Sequence, residues 1–189
     1  MNFAGNDILF FANNATTFSR KGAASKILIE NECSLLYPLK FIDNLMITWS
    51  IKECIYKILC KKGHPFGFSP KLITINTIEK INYYIYSGTA FFEKSNYFFQ
   101  FELNQDYVYT YASECKKALN EFEHHFFKNP ISNNSSITNA EFIKYIESNN
   151  WKLNYTKDNI PFVTETKNDI DISLTHDHNI LALCVSKNR

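Results

Sequence analysis

The chain has 189 residues, 45% of them hydrophobic and 16% aromatic, and a formal net charge of +1. That length and apolar content suffice for one domain, or two very small ones, with a core that needs no staples, and the near-zero charge gives no warrant for a nucleic-acid binder. Five scattered cysteines (Cys33, Cys54, Cys60, Cys115 and Cys184), never spaced Cys-x-x-Cys, argue against a disulfide framework and a zinc site.

No apolar stretch is long enough to span a bilayer, and the start Met1-Asn2-Phe3-Ala4-Gly5 lacks the charged opening of a signal peptide. The expectation is a soluble protein of a reducing cytoplasm.

In chain order, residues 7–11 read as a short buried strand and 12–26 as polar, partly helical sequence ending near Gly22. Residues 29–36 read as a short helix stopped by Pro38. From 39 to 62 apolar residues recur at helical spacing (Phe41, Leu45, Ile51, Ile55, Ile58, Leu59), and Gly63 with Pro65 ends this longest helix. Residues 72–78, 83–92, 97–103 and 107–112 are rich in β-branched and aromatic residues, with a turn at 93–96, which predicts an antiparallel meander. A helix is expected over 113–127, with Leu119, Phe122 and Phe126 inward, then a polar loop over 129–139. Thr138-Asn139-Ala140-Glu141 has a capping-box pattern opening a helix that ends near Asn149. Residues 151–155, 170–175 and 180–185 read as strands. The sum is an α+β fold with a long helix near the start, an antiparallel sheet after it and no internal repeat.

The richest stretch for chemistry is Trp49-Ser50-Ile51-Lys52-Glu53-Cys54-Ile55-Tyr56-Lys57. Four residues advance a helix by about 400°, so Trp49, Glu53 and Lys57 lie on one slowly drifting stripe flanked by Lys52. A carboxylate suits a hard divalent cation, and a lysine one turn on suits the phosphates that share such a cation. The plainer account is an exposed helix with Glu53 and Lys57 as an i,i+4 ion pair. Residues 1–71 hold nine Lys or Arg against five acids, while 72–189 hold eleven against fourteen, so the basic half carries this stretch and would attract an anionic substrate or an acidic partner.

Three further segments accompany it: Gly5-Asn6-Asp7-Ile8 before the helix, Asn159-Ile160-Pro161-Phe162-Val163 after the meander, and Ile172-Ser173-Leu174-Thr175-His176-Asp177 followed by an apolar run. In this order they resemble the 4′-phosphopantetheinyl transferase superfamily. Its marks are Gly-x-Asp, Trp-x-x-Lys-Glu-x-x-x-Lys, and Ser-x-Ser/Thr-His leading into a strand. The order, and the 46 residues from Asp7 to Glu53, are similar to the short holo-acyl-carrier-protein-synthase type. Phe18-Ser19-Arg20-Lys21, Lys26-Ile27 and Glu30-Asn31-Glu32 resemble the family's stretch between its metal-binding segments. Three departures stand out: Leu9 and Phe10 follow where many relatives carry another acid, Asn159-Ile160-Pro161 replaces Gly-Lys-Pro, and residues from about 79 to 150 exceed the minimal synthase.

The resemblance implies a single domain over 1–189 with the family's α+β fold and an extra segment around 79–150. It implies transfer of the 4′-phosphopantetheine arm of coenzyme A to a serine of an apo acyl carrier protein or related carrier domain, with release of adenosine 3′,5′-bisphosphate. Asp7 and Glu53 would ligate Mg2+. Lys52, Lys57, Ser173 and His176 would meet coenzyme A, with Arg20 and Lys21 at its 3′-phosphate. Glu53 and Lys57 would be the catalytic pair, and Glu53 or a water would take the serine proton. A chain with one copy of each segment would complete its cleft against another copy, so the resemblance implies a symmetric oligomer, a homotrimer with Asp7 and Glu53 of one subunit facing His176 of the next, unless the extra segment around 79–150 caps that interface and leaves a monomer or dimer. The alternative is a non-catalytic relative that binds coenzyme A or a carrier protein as a scaffold.

Two other patterns have plainer explanations. Glu121-Phe122-Glu123-His124-His125 contains a Glu-x-x-His pair of the di-iron sort without matching carboxylates elsewhere, so an exposed helix face is expected. Phe91, Phe92, Tyr97, Phe98, Phe99 and Phe101 could form a nucleic-acid stacking platform, but only Lys94 lies among them, which favours a sheet core.

Overall fold

A computed structural model describes residues 3–36, 38–64, 67–128, 131–133, 136–156, 159–165 and 168–186. Its elements are β1 (Gly5–Phe10), α1 (Phe11–Phe18), α2 (Ala23–Ile27), α3 (Phe41–Lys61), β2 (Thr74–Lys80), β3 (Ile85–Phe92), β4 (Ser95–Leu103), β5 (Tyr107–Ser113), β6 (Phe122–Lys128), β7 (Ile131–Asn133), β8 (Ser136–Thr138), α4 (Ala140–Ser148), β9 (Lys152–Tyr155), β10 (Pro161–Glu165), β11 (Asn168–Asp177) and β12 (Ile180–Ser186). The fold is α+β.

Two five-stranded antiparallel sheets, ordered β1-β5-β4-β3-β2 and β6-β12-β11-β10-β9, have the same topology. In each half a strand leads to a helix and then a four-strand meander, whose last strand returns to pair with the first. The chain therefore repeats its architecture, although no sequence repeat announces it. The residues from 79 to 150 hold β3, β4 and β5, most of the first meander, and the start of the second half, including the small β7–β8 hairpin.

α3 covers one face of the first sheet. Ile47, Ile51, Ile55 and Ile58 pack on Ile75, Ala90, Phe99 and Phe101, and each such side chain contributes roughly 1.5–3 kcal/mol on burial. Tyr97, Phe99 and Phe101 alternate inward along β4, so the aromatic run is core. α4 does the same for the second sheet, with Phe142 and Ile146 against Phe127, Val163, Ile172 and Leu183. The halves meet through β5, whose Tyr109 and Tyr111 pack on Phe122, Ala182 and Cys184.

Several expectations are corrected. The segment 113–127 is a short 3-10 turn at Lys116–Asn120 followed by β6, because pairing with β12 overrides its helical spacing. Phe126 is 45% exposed rather than inward, and Phe41 on α3 is 53% exposed. Only a 3-10 turn, Glu30–Glu32, forms in 29–36. α4 is capped by Asn139, whose side chain accepts from the Glu141 and Phe142 amides, one residue beyond the expected cap. β10 was not foreseen, and the loop expected over 129–139 contains β7 and β8. Pro65, and residues 129, 130, 134 and 135 of that loop, lie outside the described residues.

Candidate active site

β1 is placed where α3 crosses the first sheet, and the crossing is close enough to need a glycine. A Cβ on Gly5 would lie 2.0 Å from the Cys54 carbonyl oxygen. This contact sets the Gly-x-Asp segment against the middle of α3. Asp7 then faces the stripe Trp49–Glu53–Lys57, and Lys57 Nζ stands 3.8 Å from Asp7 Oδ1.

The other edge of β1 runs parallel along β11, at a constant offset of 167 residues. Here side chains replace a backbone ladder. The amides of Ala4, Asn6 and Phe10 donate to Asp171 Oδ2 (2.7 Å), Ser173 Oγ (3.0 Å) and Asp177 Oδ2 (2.7 Å), and Thr175 Oγ1 donates to Asp7 Oδ1 (3.0 Å). Two lysines clip the seam from α3. Lys57 donates to Asn6 O (2.7 Å) and, more weakly, to Leu174 O (3.5 Å), while Lys61 donates to Ala4 O (2.6 Å), Ile172 O (2.7 Å) and Asp171 Oδ1 (2.8 Å).

Asp7 is buried, and its Oδ2 has no hydrogen-bond partner among the described residues. Burial is the main reason its pKa lies above the ordinary 3.8, with Lys57, the Thr175 and Ser50 hydroxyls and the Ile8 amide pulling the other way. Glu53 is half-buried, and desolvation raises it too; Lys57 lowers it and the nearby Asp7 raises it. An orphaned, desolvated carboxylate oxygen next to a second carboxylate is a donor set that fits a divalent cation with oxygen ligands. Among the described residues no group of three His, Cys, Asp or Glu forms a metal cluster, so water or substrate oxygens would complete the shell.

Two hollows flank the carboxylates along α3. One of about 440 Å³ lies at the Trp49 end, with Arg20, Lys21 and Lys26 on its wall and no acid. The other, about 210 Å³, lies at the Lys57 end and is lined by Cys60, Ile160, Pro161 and Leu174 among others. Along α3, Glu53 thus lies between a hollow walled by Arg20, Lys21 and Lys26 and a second one walled in part by Lys57 and Lys61.

No family model, no curated protein and no solved structure matches this chain.

The expected site residues separate into two groups. Asp7, Glu53 and Lys57 converge, and Arg20 and Lys21 line the cationic hollow. Lys52 does not join them: it is 0% exposed, bonded to Glu32 Oε2 (2.7 Å) and Ile27 O (2.9 Å), a buried structural pair with no face for coenzyme A. Ser173 is buried and its hydroxyl oxygen accepts the Asn6 amide, which gives it a place in the seam. His176 is exposed, and strand alternation turns it away from the face where Thr175 meets Asp7. The seam joining Asp7 to the histidine segment forms inside one chain, so it needs no second copy. Sequence reasoning missed Lys61, although it continues the same four-residue step from Lys57, and it missed Asp171.

Proposed function

We propose that this protein transfers the 4′-phosphopantetheine arm of coenzyme A to a serine hydroxyl of an apo carrier protein in a magnesium-dependent reaction that releases adenosine 3′,5′-bisphosphate. The observation that carries the reading is the unpartnered, buried Asp7 Oδ2 beside Glu53, with Lys57 one turn further along α3. Magnesium held by these two carboxylates supplies neutralisation of charge on the pyrophosphate. Lys57, partly exposed, offers its ammonium to the same phosphates. Arg20 and Lys21 take the 3′-phosphate in the cationic hollow, whereas His176, on the other face of β11, has no part in this site. Glu53, whose proton affinity is raised by burial, is suited to accept the serine proton.

The two-carboxylate donor set also suits a relative that binds coenzyme A or a carrier protein without turnover. One assay separates the two. Incubation with coenzyme A, Mg2+ and a panel of apo carrier proteins, read by intact mass, should show addition of the arm, abolished by a chelator and by Glu53→Ala. Binding of coenzyme A without transfer to any carrier would replace the enzyme by the scaffold, and absence of both binding and transfer would overturn both.

A further inference from the structure

Lys61 occupies a position that the catalytic reading does not use. It repeats at the next helical turn what Lys57 does, gripping one carbonyl of β1 and one of β11. The two lysines differ in what else they can reach. Lys57 is 24% exposed and faces Asp7, whereas Lys61 and its partner Asp171 are each 5% exposed and bonded only within the seam.

Asp171 closes the arrangement by accepting the Ala4 amide through one oxygen and the Lys61 ammonium through the other. β10 ends its pairing with β11 at Asp171, so lysines supply donors to the Ile172 and Leu174 carbonyls beyond that point. Burial lowers the Lys61 pKa, and the Asp171 carboxylate opposes that shift. An anionic ligand in the cleft would draw Lys57 off Asn6 and Leu174. Of the two lysines, Lys61 alone would then bridge carbonyls of both strands.

We propose that Lys61 is a positioning residue that, with Asp171, keeps β1 in register on β11, and so Asp7 opposite Thr175, while Lys57 turns to an anionic ligand. The role of the ligand rests on the functional reading above; the register does not.

The test uses the full chain and the paired variant Lys61→Met, Asp171→Asn, which removes both charges, keeps an acceptor for the Ala4 amide and nearly preserves volume. A neutral pair of similar shape can retain stability where a single substitution would strand a buried charge. Amide hydrogen exchange is measured without metal. Exchange at Ala4 and Asn6, which face β11, should speed up at least tenfold relative to Asp7 and Leu9, whose amides alternate toward β5. Equal change on both edges of β1, or none, overturns the proposal, since the pair would then contribute general stability or nothing. Mn2+ affinity of the same variant, followed by electron paramagnetic resonance well below its melting temperature, should fall at least tenfold. Wild-type Mn2+ affinity in the variant overturns the link from register to site. A wild-type protein that fails to bind Mn2+ refutes the functional reading instead, and the exchange result still decides the register.

Discussion

Gly5→Ala tests whether the approach of β1 to α3 builds the site. The new Cβ would sit 2.0 Å from the Cys54 carbonyl oxygen and 2.8 Å from its carbon, and contacts under 3.0 Å essentially never occur, so strand or helix must retreat by about 1 Å. β1 cannot retreat freely, because Asp171 and Lys61 hold its far edge. Lifting α3 instead loosens Ile51 and Ile55 from the sheet. Overpacking of this kind costs about 1–3 kcal/mol; about 2 kcal/mol, with a urea slope of about 2 kcal/mol/M, lowers the midpoint by about 1 M. Asp7 lies two residues from the clash and Glu53 adjoins Cys54, and a displacement of about 1 Å can lower a rate roughly 100-fold. Urea unfolding followed by Trp49 and Trp151 fluorescence gives the stability loss, and the rise in melting temperature on adding Mg2+ reports whether Asp7 and Glu53 still bind the ion together. Gly88→Ala is the control: its Cβ would lie 2.1 Å from Thr77 O, in the sheet on β3. It should lose comparable stability yet keep the Mg2+ response. A wild-type midpoint in Gly5→Ala, or a Mg2+ response as full as that of Gly88→Ala, refutes the reasoning.

Glu53→Gln should leave the metal-free melting temperature unchanged or slightly raised, since it removes a desolvated charge, and should abolish the Mg2+ increment; an undiminished increment removes Glu53 from the metal site. Asp7 and Glu53 both have folded pKa values above their ordinary 3.8 and 4.5, so their favourable contribution is present below those values and is lost as pH rises through the folded pKa. Melting curves in chelator should therefore show a gain from these groups on mild acidification, with the Mg2+ increment growing toward neutral pH; an increment that is larger in acid contradicts this. Lys52→Met strands Glu32 in the core and should cost about 3–5 kcal/mol, with coenzyme A affinity at low temperature unchanged. A variant that keeps its stability but loses affinity would return Lys52 to the site. His124 is pushed down to about 4 by burial first and His125 second, so its contribution is present above 6.5 and lost as pH falls through about 4. His124→Gln should flatten acid unfolding by up to about 3 kcal/mol over that window; a pH profile identical to wild type would refute it.

Much of the first half was legible because its signals are local. The stripe Trp49–Glu53–Lys57 and the Gly-x-Asp segment each specify their own geometry, and α3 and the first meander formed near where periodicity placed them. Residues 113–127 were misread because Phe122 and Phe126 are four apart, as on a helix, but also even-numbered, as on one face of a strand. Only the partner β12, about 60 residues on, decides between these. Lys52 was misplaced for a related reason: helical spacing puts it beside Glu53, while its buried partner Glu32 comes from a separate turn. The repeat was invisible because two meanders can share strand order without sharing side chains.

The seam between β1 and β11 has a consequence in mass action. A cleft shared between subunits dissolves on dilution, and two defective chains can complement one another by exchanging partners. Here both walls belong to one polypeptide, so their mutual concentration is set by the chain rather than by the solution. Ligand affinity should therefore be independent of protein concentration down to the detection limit. A lesion in either wall should therefore disable the chain that carries it, with no rescue by an intact neighbour.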